Sequence, residues 1–151
     1  MRKFLLSTVF AALTVYSAWA ENIGVLVARF DSAFLTILRN GMQDRAATLD
    51  KVKLQVEDAQ SDPSRQLDQV QNFISAGVDA IIVVAVDSDG TAAISKMASE
   101  AKIPLVYVNH PPADVTNLPE TAAFVGSNEL YSGTIQTKEA CRLLNVAMRW
   151  C

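Results

Sequence analysis

Two short clusters carry most of the side chains that could do chemistry. Arg29-Phe30-Asp31-Ser32, with Phe34 just beyond, follows one apolar run, and Asn109-His110 follows another. Sugar hydroxyls donate and accept at once, so carboxylates, amides and hydroxyls can hold them in pairs while a flat aromatic ring covers a C–H face. The clusters therefore suit a polyhydroxylated ligand, with Phe30, Asp31, Ser32, Phe34, Asn109 and His110 as the candidate contacts. Each residue also has a plainer use. Asp31 and Ser32 can do no more than cap a helix, Phe34 can belong to the core, and His110 beside two prolines can be an ordinary surface residue. Phe30 sits in a loop, where packing explains a large ring less readily.

Catalytic readings find little to build on. His110 is the one histidine in 151 residues, so a multi-histidine metal site is not available. No glycine-rich phosphate loop follows the first apolar run, and no Gly-x-Ser-x-Gly elbow occurs. A hydrolase using His110 with Asp114 or Asp87 would lack a marked nucleophile. No enzymatic activity, cofactor or metal is expected. A formal charge of −3 argues against nucleic acid as a partner.

The elements that must position the clusters follow from hydrophobic patterning. Ala80 to Val86 is an unbroken, mostly β-branched run, as expected of a strand covered on both faces in a parallel sheet. Asp87, Ser88 or Asp89 should cap the helix that follows, from Thr91 to Ala101. Ile23 to Ala28 reads as the first strand, and the helix after it places Phe34, Leu35, Leu38 and Met42 at helical spacing. Val52, Leu54 and Val56 alternate with polar residues, which predicts a half-exposed edge strand. Asp62-Pro63 opens a helix with a capping carboxylate and a first-turn proline, Leu67, Val70 and Ile74 form its stripe, and Gly77 ends it. Leu105 to Val108 and Ala122 to Val125 are the remaining strands, and a last helix runs from about Glu129 to Leu144. A β-α order repeated five times predicts an α/β fold: a doubly wound, five-stranded parallel sheet in order 2-1-3-4-5 with helices on both faces. Ligands of such sheets lie outside the carboxyl ends of the strands, where both clusters fall.

Residues 1–20 stand apart. Arg2 and Lys3 precede an uncharged, apolar stretch that ends in Ala18-Trp19-Ala20. That is the layout of a secretory signal peptide cleaved after Ala20; a membrane anchor is the rival, but the stretch is short of the roughly 20 apolar residues a bilayer needs. Without Arg2 and Lys3, 11 basic residues face 16 acidic ones. Export places Cys141 and Cys151 where they could pair, but nothing requires it, and the reading favoured is two incidental thiols.

Four blocks, IGVLVARFDSAFLTILRNGMQ, DAQSDPSRQLDQVQNFISAGVDAIIVVAVDSDG, IPLVYVNHPP and FVGSNELYSG, resemble in order and spacing the periplasmic sugar-binding proteins of ABC transporters, of the ribose/galactose type. FDSAFLTILR and VYVNHPP are most similar to members handling inositols and rhizopine. The resemblance implies a monosaccharide or cyclitol ligand, a permease in the inner membrane as partner and a periplasmic location. By the same resemblance the family's stacking aromatic falls on Phe34, its hydrogen-bonding Asn or Asp on Ser32 with Asp31 just before, and its pair after the fourth strand on Asn109 and His110. Family members have two lobes, and here the match stops near Asn145. The expectation is a signal peptide at 1–20, an N-terminal lobe at 21–145 and an aberrant tail at 146–151 of a truncated chain with weak or no binding alone. A sensory module that presents a sugar-binding lobe to a membrane receptor is the alternative.

Overall fold

The computed structural model describes residues 21–144. The chain runs β1 (Glu21–Val27), α1 (Ala33–Ala47), β2 (Val52–Asp58), α2 (Pro63–Ala76), β3 (Ala80–Val83), α3 (Thr91–Glu100), β4 (Leu105–Val108), a 3₁₀ turn (Val115–Asn117), β5 (Ala122–Val125) and α4 (Glu129–Leu144). All strand pairs are parallel, in the order β2-β1-β3-β4-β5. The doubly wound sheet expected from the apolar runs is therefore present. One expectation fails: β4 and β5 are joined through the 3₁₀ turn, so the strand–helix unit recurs four times, not five. Pro111, Pro112 and Pro119 bound that connection, and proline both lacks a donor and disfavours helix in the residue before it.

Register sorts the side chains. Val25 lies opposite Val56 and Ile82, while Leu26 lies opposite Val83. Because side chains alternate along a strand, Leu26, Ile81, Val83, Leu105 and Tyr107 share one face with Val70 and Phe73 of α2 and Ile94 of α3. Val25, Val27 and Val84 share the other with Leu35 of α1. Ala80–Val83 is buried or half-buried throughout, as a central strand requires, and β2 alternates between exposed and half-buried residues over most of its length, as the edge reading predicts.

Helix α2 ends where its sequence says. Asp62 Oδ1 accepts from the amides of Ser64 and Arg65, Pro63 occupies the first turn, and Gly77 closes the helix at φ 69°. Its buried stripe is different from the expected one. Gln66, Gln69, Val70 and Phe73 are buried, whereas Leu67 and Ile74 are only partly so. Helix α3 also departs: Gly90 is its N-cap and no side chain caps it. Asp87 instead takes the Gly90 amide at 3.0 Å, tightening the turn before the helix. Helix α4 buries only Cys141 and leaves Leu130, Tyr131, Ile135, Leu143 and Leu144 exposed. Cys141 is disulfide-bonded, which corrects the expectation of an incidental thiol there; Cys151 lies outside the described residues, as do the proposed signal peptide and tail.

Candidate ligand-binding site

A hollow of about 440 Å³ opens at the carboxyl ends of β1, β3 and β4. Ala28, Arg29, Ser32, Phe34 and Leu35 line it from the first exit, Ser61 from the loop after β2, Ala85 and Val86 from the loop after β3, and Asn109 and His110 from the loop after β4. Four of the six expected contacts, Ser32, Phe34, Asn109 and His110, are thus brought to one place. Phe30 and Asp31 are not among them. They line a smaller adjoining hollow with Asp58 and Gln60, and Arg29 and Ser61 border both.

Local structure explains the division. Ser32 is the N-cap of α1, with Oγ accepting the Leu35 amide at 3.4 Å, and this fixes Phe34 in the first turn. The Phe34 ring is 57 % exposed, which answers the question of whether it is core: it is available at the site. Phe30 has an internal use that the sequence did not announce. Its ring packs against the Val25–Val27 cluster, and the Arg39 guanidinium lies 4.4 Å from the ring centroid on the next turn of α1, a cation–π contact. The Phe30 carbonyl accepts from Thr36 Oγ1 at 3.1 Å. Asp31 pairs with Arg29 at 3.5 Å with both side chains exposed, so the pair contributes little to stability.

Asn109 adopts φ 74°, a left-handed conformation that asparagine tolerates better than most residues. Its amide donates to the Val125 carbonyl at 3.0 Å, and the His110 amide donates to Val108 at 3.0 Å. The loop is held from below by a buried network. Tyr107 Oη donates to the Thr91 carbonyl at 2.8 Å and pairs with Ser95 Oγ at 2.9 Å, and burial pushes the phenol up to about 12. Thr91 Oγ1 in turn donates to Ser88 O and accepts from the Ala113 amide. Ser88 Oγ donates to Pro111 O. The exits of β3 and β4 are therefore tied to each other through the start of α3.

Gln66 does the same for the exit of β3. Its amide donates to Val84 O at 3.1 Å and accepts from Val86 N at 3.0 Å, satisfying two backbone groups beyond the ladder and setting the positions of Ala85 and Val86. Sequence reasoning missed it because a glutamine in a helix reads as surface. Ser61 was also missed; the only signal was the polar turn Gln60-Ser61-Asp62-Pro63.

A second hollow, about 500 Å³, lies between α1 and the amino-terminal half of the sheet, walled by Ile23, Ile37, Leu38, Met42, Leu54 and Ile82, with Arg45 its one charged residue. A polyol there would leave its hydroxyls unpaired, at a cost of one or more kcal/mol each. The strand-exit hollow, with polar and aromatic side chains together, is the candidate whose chemistry suits a polyol. Among the described residues no group of three or more His, Cys, Asp or Glu side chains is placed to hold a metal.

A parallel sheet with its polar hollow at the strand exits is the architecture of one lobe of a periplasmic binding protein. The chain belongs to that family: the periplasmic binding protein domain matches residues 23–149. It is 55 % identical over 145 residues to the "Putative rhizopine-binding protein" of Rhizobium meliloti, covering 96 % of this chain and 47 % of the relative. It is 33 % identical over 138 residues to the D-galactose/methyl-galactoside binding periplasmic protein of Haemophilus influenzae, covering 87 % and 42 %. Among solved structures, an ABC transporter solute-binding protein from Bacillus halodurans with bound myo-inositol superposes with a TM-score of 0.78 at 37 % identity, over 86 % of this chain and 44 % of that one. The chain spans about half the length of the relatives it matches.

Proposed function

We propose that residues 21–145 form the N-terminal lobe of a periplasmic solute-binding component of an ABC transporter whose ligand is a ring-shaped polyol, a monosaccharide or a cyclitol of the inositol/rhizopine type. The observation that carries this reading is the meeting of Phe34, Ser32, Asn109 and His110 around one hollow at the strand exits. The exposed Phe34 ring covers an apolar face of the ligand, Ser32 and Asn109 exchange hydrogen bonds with its hydroxyls, and His110 bridges hydroxyls through its ring nitrogens. Phe30 and Asp31 act from the rim, Phe30 by holding the entry to α1 and Asp31 by orienting Arg29. No bond is made or broken. Residues 1–20 serve as the export signal, the periplasm is the working compartment, and an inner-membrane permease receives the ligand.

One lobe offers one wall. Three to five net hydrogen bonds of about 1 kcal/mol each sum to roughly 4 kcal/mol, which corresponds to about millimolar affinity, and ordering costs make that a ceiling. Nuclear magnetic resonance titration of the chain with myo-inositol, D-ribose and D-galactose tests both parts. The expected result is shifts centred on Ser32, Phe34, Asn109 and His110 that saturate in the millimolar range, and that Phe34→Ala weakens several-fold without loss of fold. Micromolar affinity would refute the single-wall argument, and shifts centred on the apolar hollow would refute the site.

A further inference from the structure

The loop between β2 and α2 holds two consecutive non-glycine residues in the left-handed region, Gln60 at φ 54° and Ser61 at φ 60°. Side chains at such angles crowd the backbone, so a pair persists only where the surroundings hold it. Two backbone bonds do so here: the Gln60 amide donates to Asp58 Oδ1 at 2.8 Å, and the Ser61 amide donates to the Ala28 carbonyl at 2.7 Å. The second bond joins the loop directly to the exit of β1. It carries Ser61 to the partition between the two polar hollows, where with Arg29 it borders both. The Ser61 hydroxyl makes no hydrogen bond to any described residue. A sharp turn into α2 could be made with glycine without that crowding, and Asp62 already caps the helix. Neither the turn nor the cap requires a serine.

We propose that Ser61 is a ligand-contacting residue of the strand-exit site, its hydroxyl held over the hollow by the left-handed pair to bond a ring hydroxyl on the side opposite Asn109 and His110. This rests on the polyol reading above and extends it to a side chain from a third loop. Ser32, Ser61 and Asn109 would then exchange hydrogen bonds with three different positions of the ring, so the loop after β2 takes part in choosing among epimers.

The test compares wild type, Ser61→Ala and Ser61→Gly by the same titration with myo-inositol and D-galactose, together with thermal melts. Ser61→Ala should weaken the better of the two ligands about fivefold, the loss of one net hydrogen bond, and narrow the ratio between them. Ser61→Gly should lose the same affinity while raising Tm by a few degrees, because glycine relieves the left-handed strain. A residue that only shaped the loop would give unchanged affinity in Ser61→Ala, and that result overturns the proposal while leaving the polyol reading intact. Absence of any shift in the wild-type protein would instead overturn both.

Discussion

The two faces of the sheet are packed to different standards. Under α2 and α3, Leu26, Val70, Phe73, Ile81, Val83, Ile94, Leu105 and Tyr107 are all within 2 % of complete burial. Under α1, Val25, Val27, Leu35 and Val84 are buried, but Leu38, Met42, Leu54, Ile82 and Val108 are only partly covered, Ile37 of α1 is 72 % exposed and Val125, beside Val108 in register, is 62 % exposed. Burial of apolar area is what holds a small domain together, so the first face carries the stability and the second carries much less of it. The strand-exit hollow draws Phe34, Ser32 and His110 from positions that neither core needs. Phe34 and His110 fill neither core, while Ser32 caps α1 with the same oxygen that it presents at the hollow.

The sharpest way to break this comparison is at Phe73. Phe73→Ala should destabilise by about 3–5 kcal/mol, whereas Leu38→Ala on the α1 face should cost about 2 kcal/mol or less because its site is already partly open. Urea denaturation midpoints at constant m-value measure both. Equal losses would mean that the faces share the load.

Next in size is an alkaline transition from the closed face alone. The Tyr107 phenol is pushed from 10.0 to about 12, chiefly by burial. A folded value above the unfolded one means that the folded state favours the neutral phenol. The stabilisation is complete below pH 10 and is lost as pH rises from 10 towards 12, to a total of roughly 2–3 kcal/mol. Tyr107→Phe should lose this alkaline step, and at neutral pH it should cost about 1–2 kcal/mol because the Thr91 carbonyl and Ser95 lose their partner. Stability curves from pH 8 to 11.5 for the two proteins should converge at the alkaline end; parallel curves would show that some other group governs the transition.

The same division explains what could be read from the chain alone. Strand positions were legible because β-branched runs have few alternatives, and α2 was legible at both ends because Asp62, Pro63 and Gly77 each have a mechanical reason to be there. The stripe of α2 was misjudged because Gln66 and Gln69 are buried by virtue of backbone groups on other elements, at Val84, Val86 and Asp58, which no local periodicity encodes. The lining of the strand-exit hollow was legible where residues follow a strand directly, as at Ser32, Phe34, Asn109 and His110. It was not legible at Ser61, whose place depends on a bond to Ala28 across the sheet. Phe30 was expected at the ligand because packing explains a large ring in a loop less readily; its contact with Arg39, nine residues on, is one that local sequence does not encode.

The smallest expected effect isolates packing from every other variable by making one substitution on each face. A Cβ at Gly24 would collide with the Phe73 ring, and that ring is 1 % exposed. Gly24→Ala should therefore destabilise by about 1–3 kcal/mol through overpacking. A Cβ at Gly41 in the middle of α1 meets nothing within 4 Å, although Gly41 borders the apolar hollow. There, only backbone propensity remains, and Gly41→Ala should stabilise by about 1 kcal/mol or a little less. Opposite signs for the same added methyl would establish that the closed face is filled to the limit and the α1 face is not. A loss at Gly41 comparable to that at Gly24 would mean that something does pack against the outer side of α1 in solution, and the comparison between the two faces would have to be redrawn.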